Sequence, residues 1–214
     1  HGKVEFRNVC FKYQQDGTEY ALKNINLIAQ PGQTTAIIGA TGSSKSTLVE
    51  LIPRLYDVTQ GSILIDEVDV RDYTLRNLRT PVSLVLQQNE LFSGTIRQNL
   101  KWGKPDATDE EIIAAAKDAA AHDFIQSFPE GYDTVLGQGG VNLSGGQKQR
   151  LCIARALLRK PIILILDDST SAVDSVTEET IRKSLDNHFP DTTVFIIAQR
   201  ISSVQSARQI VLLD

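Results

Sequence analysis

Three short, almost entirely apolar segments constrain the fold more than any other feature of the sequence. They cover Thr34–Gly39, Ile162–Leu166 and Thr193–Ala198. Strands that lack polar alternation are typical of parallel sheets, which helices cover on both faces. A helical pattern at about 175–188 separates the last two segments, and another runs from Lys45 to Leu55. The alternation of apolar strands with helices predicts an α/β fold with a largely parallel sheet.

The remaining periodicities predict further strands near the N-terminus and further helices in the middle. Val4–Tyr13 alternates apolar and polar residues, as a half-buried strand does. Ala21–Ile28 and Gly61–Asp66 are also predicted as strands. Thr108–Glu111 has the spacing of a capping box, and the alanine-rich stretch after it continues a helix to about residue 121. A short helix is expected at Phe124–Phe128, and a longer one within 142–160.

Composition disfavours some classes of function but does not identify one. The chain has 214 residues, enough for one domain with a subdomain, and a formal net charge of −4. This acidic balance argues against nucleic acid as a partner. The two cysteines lie far apart in the sequence and indicate neither a disulfide framework nor a zinc site. Because a strand pattern ends the chain abruptly, we expect it to be part of a longer protein.

A glycine-rich loop after the first apolar strand predicts nucleotide binding. Its spacing matches the phosphate-binding loop (P-loop) pattern G-x-x-x-x-G-K-[ST], except that Ser44 stands in place of the second glycine. In such a loop Lys45 contacts the β- and γ-phosphates of ATP, and Ser46 binds Mg²⁺. A side chain at position 44 would cost about 1 kcal/mol if that position required a positive φ. The predicted ATP-binding residues of the loop are Gly39, Thr41, Gly42, Ser43, Ser44, Lys45, Ser46 and Thr47.

An aspartate at the end of the second apolar strand is a second candidate site residue. Asp167 follows five apolar residues, as the magnesium-binding aspartate of P-loop enzymes does. The alternative is that Asp167 caps the helix that follows. A turn before an ordinary helix is likewise the alternative for the glycine-rich loop.

Residues 143–147, Leu-Ser-Gly-Gly-Gln, resemble the signature of ATP-binding-cassette (ABC) ATPases. The resemblance implies a P-loop core with a mostly parallel sheet at about 1–86 and 159–214, together with an antiparallel β subdomain. It also implies a helical signature subdomain at about 87–158. In this family the signature reaches the γ-phosphate of ATP held by a second subunit, so a head-to-tail dimer is expected. The signature residues with this implied role are Ser144, Gly145, Gly146 and Gln147.

Other positions extend the resemblance over the whole chain. Tyr13 matches the aromatic residue that stacks on adenine, and the alternative is an aromatic residue of its strand that packs in the core. Gln87 matches the glutamine near Mg²⁺ and the attacking water, and Ser171–Asp174 matches the D-loop at the dimer interface. Leu91–Ile96 resembles the exporter loop that meets the transmembrane domain. The resemblance therefore places the chain on the cytoplasmic side of a cell membrane, as the soluble domain of a membrane protein.

Two departures from the family pattern concern catalysis. Active members have a glutamate after the magnesium-binding aspartate and a histidine after the last apolar strand, where this chain has Asp168 and Gln199. Together they predict a degenerate site that binds ATP and hydrolyses it weakly, as in one subunit of a heterodimeric exporter. The alternatives are a fully active homodimeric ATPase, in which Asp168 still serves as base, and a soluble ABC-type ATPase that acts on nucleic acid. The exporter-like loop and the acidic charge disfavour the last.

Overall fold

A computed structural model describes residues 1–14, 16–88, 90–199, 204 and 207–213 of the chain. The strands are β1 Val4–Phe11, β2 Leu22–Ala29, β3 Thr34–Gly39, β4 Gln60–Ile65, β5 Val68–Asp69, β6 Val82–Val85, β7 Gly94–Thr95, β8 Val135–Leu136, β9 Ile163–Asp167, β10 Thr193–Ile197 and β11 Gln209–Leu213. The helices are α1 Lys45–Glu50, α2 Leu75–Arg79, α3 Ile96–Lys101, α4 Asp109–Asp118, α5 His122–Ser127, α6 Gly145–Leu157 and α7 Ser175–His188. Short 3₁₀ turns occupy Val70–Asp72, Gly131–Asp133 and Gln138–Gly140.

The chain forms two compact units, which are described one at a time. Unit 1 comprises 1–82, 162–165 and 191–214, and unit 2 comprises 83–161 and 166–190. An antiparallel sheet of order β2-β1-β4-β5 lies in unit 1. The five-stranded sheet has the order β11-β3-β10-β9-β6, and β3 runs parallel to both β10 and β11. The predicted α/β class, with its parallel sheet, antiparallel sheet and helical part, is confirmed.

Each unit has a core of buried apolar side chains. In unit 1, Phe6, Leu48 and Phe195 are completely or almost completely buried. In unit 2, α6 packs against α3 and α4, and α4 also packs against α7. Ile112 of α4 and Leu151 of α6 are fully buried at 0% exposure, as the helical periodicity of both segments requires. Burying a side chain of this size contributes about 1.5–3 kcal/mol to stability.

Caps and breakers set the ends of the helices. Thr108 and Glu111 form the predicted capping box at the start of α4. That helix ends at Asp118 instead of continuing to residue 121, because Ala120 has a φ of 53°. Helix α1 was predicted to reach Leu55 but ends at Glu50. Pro53 explains the difference, since a proline disfavours helical geometry in the residue before it. Among the described residues, no helix combines the length and the apolarity that crossing a membrane requires.

Candidate functional site

The glycine-rich loop of unit 1 joins β3 to α1 and is closed by its own lysine. The Nζ atom of Lys45 donates hydrogen bonds to the carbonyl oxygens of Gly39 at 2.9 Å and Ala40 at 2.7 Å. It also lies 3.3 Å from Oγ of Ser43. The ammonium group is thus held by three oxygen atoms within the loop. It could exchange these for the oxygens of a phosphate, which bind an ammonium group through stronger, charge-assisted hydrogen bonds.

Backbone conformation explains which positions of this loop require glycine. A Cβ atom on Gly39 would lie 2.3 Å from the carbonyl oxygen of Leu213, so a side chain is sterically excluded there. Gly42 has a φ of 84°, and a Cβ atom there would meet nothing within 4 Å. Ser44 occupies the left-handed region at φ 63° and ψ 27° and makes no side-chain capping bond. Ser44 therefore has the positive φ at which a side chain carries a conformational cost.

Tyr13 borders a cavity beside this loop. Its side chain is 57% exposed, which excludes the alternative of a core aromatic. The hydroxyl group lies 2.5 Å from Oγ1 of Thr47, and the ring meets the ring of Tyr56 edge to face at 5.4 Å between centroids. Tyr13 lines the cavity of about 630 Å³ together with Gly42 and Ser44. Unit 1 therefore brings an exposed aromatic ring and the glycine-rich loop to one concave surface.

Gln199 lies at the same sheet edge as this loop. Strand β10 pairs with β3 in parallel, with Ile197 opposite Ile37. Gln199 and Gly39 each follow two residues further along, and Gln199 is exposed. The carboxyl ends of adjacent parallel strands meet at one edge of a sheet, which is where ligands bind in open α/β folds.

The two acidic candidates belong to unit 2, where one of them contacts the predicted glutamine. Nε2 of Gln87 donates a hydrogen bond to Oδ2 of Asp168 at 3.1 Å. Asp167 and Asp168 are buried, at 5% and 8% exposure. Asp168 also has a φ of 47°, an uncommon conformation for a residue other than glycine. Its burial and its hydrogen bond with Gln87, a second predicted site residue, support a functional role for Asp168.

The signature segment of unit 2 begins helix α6. Ser144 accepts a hydrogen bond from the backbone N–H of Gln147 at 3.2 Å, and the Gln147 side chain accepts one from the Ser144 N–H at 3.0 Å. This capping box leaves Ser144 and Gly145 exposed at the start of the helix. A Cβ atom on Gly146 would lie 2.7 Å from the carbonyl oxygen of Ala172. Close packing thus requires the second glycine, a reason that the sequence alone could not supply.

A second cavity, of about 500 Å³, lies in unit 2. Two exposed aromatic side chains that line it are in contact, Phe92 at 45% exposure and Trp102 at 67%. Their ring centroids are 5.1 Å apart, and the ring planes are tilted by 37°. Arg155 also lines the cavity, and its Nη2 atom donates a hydrogen bond to the carbonyl oxygen of Glu90 at 3.0 Å. Burial raises the pKa of the neighbouring Cys152 thiol. The exporter-like Leu91–Ile96 segment contributes Phe92 to this partly apolar groove.

Comparison with known proteins gives a consistent result. The family described as ABC transporter matches residues 22–171. A multidrug export ATP-binding/permease protein of Bacillus subtilis (strain 168) is 53% identical over 213 residues, which are 100% of this chain and 37% of that protein. A protein of the same description from Staphylococcus aureus (strain NCTC 8325) is 49% identical with the same coverage.

A solved structure agrees with these sequence relatives. It is described as a bacterial Atm1-family ABC exporter with ATP bound, and it is similar to this chain at a TM-score of 0.95 and 39% identity. The similarity covers 100% of this chain and 37% of that chain. This chain therefore spans somewhat more than a third of the length of the proteins it resembles.

Proposed function

The chain belongs to the ABC transporter family, and from this membership we propose that it is the ATP-binding domain of an exporter. One observation carries the proposal: the Lys45 ammonium group lies on the loop carbonyls, beside a cavity lined by the exposed Tyr13 ring. The loop would hold the phosphates of ATP, and Tyr13 would stack on the adenine. A cavity of about 630 Å³ falls within the range of small-molecule sites.

Mg²⁺ fits the chemistry of the candidate donors. Ser46 offers a hydroxyl group, Gln87 an amide oxygen and Asp167 a carboxylate, and Mg²⁺ prefers such hard oxygen ligands. We propose each of these three residues as a candidate ligand of Mg²⁺. The ion would neutralise phosphate charge, while Lys45 contributes a positive charge from the protein.

We further propose that this chain dimerises head to tail around ATP and hydrolyses its own ATP weakly. The exposed signature residues would reach the ATP of the second subunit, and Asp168 would be the base at its own site. Aspartate is shorter than glutamate by one methylene, which withdraws the carboxylate by about 1.5 Å. A misplacement of about 1 Å can lower a rate about 100-fold. Gln199 can donate a hydrogen bond to phosphate but cannot carry the charge of a protonated histidine.

Such a chain would be one half of a heterodimer, whose second subunit supplies an active site. Its intact signature would complete that second site, which explains why the signature is kept while the catalytic residues differ. A homodimer with full activity is the competing outcome, and the turnover measurement that ends the Discussion separates the two.

The groove beside Phe92 and Trp102 is our candidate contact for a transmembrane domain. The two relatives are named as ATP-binding/permease proteins, and this chain covers 37% of each. We propose that a membrane portion of the same transporter docks there, with this domain on the cytoplasmic side. Trp102 is the one tryptophan of the chain, so its fluorescence would report docking directly.

ATP binding is tested by titrating the chain with a fluorescent ATP analogue in the presence of Mg²⁺. Lys45→Ala should weaken binding about 10- to 100-fold, since hydrogen bonds to charged groups contribute about 1.5–3 kcal/mol. Tyr13→Ala should weaken binding by at least about fivefold through lost stacking. Lys183→Ala is the control, because this lysine is exposed and pairs with Glu179. Equal affinity of the wild type and Lys45→Ala would refute the proposed site.

A further inference from the structure

The buried side-chain amide of Gln149 in unit 2 lies between two exposed segments of that unit. Under the proposed function, both segments contact the second subunit. The segments are the signature start of α6 and the loop Ser171–Asp174, here called the D-loop. Gln149 lies between them and is only 4% exposed. Its Nε2 atom donates a hydrogen bond to Oγ of Ser171 at 3.0 Å, and its Oε1 atom accepts one from the backbone N–H of Ala172 at 2.9 Å.

Close packing reinforces this link. The signature residue Gly146 approaches the carbonyl oxygen of Ala172 so closely that a Cβ atom would lie 2.7 Å from it. A Cβ atom on Gly145 would lie 3.4 Å from the Cβ of Ala172. The N-terminal turn of α6 and the D-loop are therefore in contact, with Gln149 below their exposed surface.

The base of the D-loop is fixed independently of α6. Asp174 caps α7 by accepting hydrogen bonds from the backbone N–H groups of Val176 and Thr177, at 3.1 and 3.0 Å. Hydrogen bonds from Thr177 also keep the pKa of Asp174 below its usual range. On the other side, Oγ1 of Thr170 donates to the buried Glu178 at 2.9 Å. Gln149 therefore contacts the tip of the D-loop, while other hydrogen bonds fix the two ends of this loop.

We propose that Gln149 is a positioning residue that fixes the D-loop against the signature, so that both meet the second subunit as one preorganised surface. This inference rests on the proposed ATP-dependent dimer. An amide suits the task because it supplies one donor and one acceptor at once, for the Ser171 hydroxyl and the Ala172 N–H. Surfaces ordered before association bind more tightly, since less conformational entropy is lost in the complex.

The test measures ATP-dependent pairing of two copies of the 214-residue chain by sedimentation velocity in Mg·ATP. Each copy carries both a P-loop and a signature, so it presents the same surfaces to a second copy as to a different subunit. Gln149→Met keeps the side-chain length and removes both hydrogen bonds, whereas the carboxylate of Gln149→Glu can accept from both Ser171 and Ala172. We expect Gln149→Met to raise the dimer dissociation constant at least about tenfold. The glutamate variant should retain more of the dimer affinity than the methionine variant.

This order of the variants separates positioning from simple packing. If Gln149 mattered only as buried volume, the apolar methionine would be tolerated best and the buried charge of glutamate worst. Tyr132→Phe is the control, because it removes a different hydrogen bond of unit 2, to Nδ1 of His122. Amide hydrogen exchange at Ala172 should accelerate in Gln149→Met and not in Tyr132→Phe, which reports the loop even where dimer yield is low.

The outcomes distinguish the inference from its premise. Unchanged ATP affinity with weaker dimerisation in Gln149→Met supports both. A wild type that dimerises, together with a Gln149→Met variant that dimerises equally well or a glutamate variant that is the worst, overturns the positioning role alone. A wild type that binds ATP and stays monomeric at high protein concentration shows that two copies of this chain do not form the dimer. The positioning role is then decided by amide exchange at Ala172, and equal exchange in the wild type and Gln149→Met overturns it.

Discussion

Replacing Ser44 by glycine should stabilise the protein, although the substitution lies in the proposed ATP site. Ser44 has φ 63° and ψ 27° and makes no side-chain capping bond. The left-handed conformation costs a residue with a side chain about 1–2 kcal/mol. Glycine does not pay this cost, but it gives the unfolded chain more conformational freedom, which offsets about 0.4–1 kcal/mol of the gain in stability. The midpoints of these ranges, about 1.5 and about 0.7 kcal/mol, give a net gain for Ser44→Gly of about 0.8 kcal/mol, or roughly 2–3 °C in Tm for a domain of this size.

Gly42 provides a matched control two residues away. Its φ is 84°, and a Cβ atom there would meet nothing within 4 Å, so Gly42→Ala adds conformational strain without a clash. The same arithmetic gives a loss of about 0.8 kcal/mol. Calorimetry and urea unfolding of both variants, without nucleotide, measure the two effects with opposite expected signs. A Ser44→Gly variant that is less stable than the wild type would show that the hydroxyl contributes more than the strain costs, and would refute the reasoning.

Two further predictions concern unit 2. Gly146→Ala should lower Tm more than Gly145→Ala, because its Cβ atom would lie 2.7 Å from the carbonyl oxygen of Ala172, compared with 3.4 Å from the Ala172 Cβ at position 145; equal melting temperatures would contradict this packing. Burial raises the pKa of Tyr132 from 10.0 to about 12, so its stabilising contribution is complete below pH 10 and is lost as the pH rises towards 12. Tyr132→Phe should be about 1 kcal/mol less stable at pH 7, through its lost hydrogen bond to His122. It should lose less stability than the wild type between pH 10 and 12, and a steeper loss in alkaline urea unfolding would contradict the assignment.

Local signals predicted most of the secondary structure. The apolar segment Thr34–Gly39 is a strand with those bounds, and the helix expected at 175–188 is Ser175–His188. The predicted capping box at Thr108 begins α4, and the helix predicted within 142–160 is α6, Gly145–Leu157. These features depend on the conformational preferences of residues that are neighbours in the sequence, so the sequence alone predicts them. The main error, the length of α1, came from following apolar spacing past Pro53, where backbone geometry overrides it.

The long-range hydrogen bonds of unit 2 could not be predicted from the sequence. Gln87 and Asp168 are 81 positions apart, and Gln149 and Ser171 are 22 apart. Single-sequence patterns carry no information about such pairs, because long-range contacts depend on how the elements pack. The family motifs named Gln87 and Asp168 separately, whereas only the structure joins them by a hydrogen bond. Gln149 follows the signature by two residues, but nothing in the sequence indicates that its amide contacts Ser171 and Ala172.

The central claim is that this chain binds ATP at a site of low hydrolytic activity. Its most direct test is phosphate release from saturating Mg·ATP by the wild type, Asp168→Asn and the Asp168→Glu/Gln199→His double variant. We expect the wild type to bind ATP with turnover close to that of Asp168→Asn, and the double variant to be faster by about 100-fold, the factor estimated for a carboxylate misplaced by about 1 Å. Rapid wild-type turnover that Asp168→Asn abolishes and the double variant does not increase would contradict the claim.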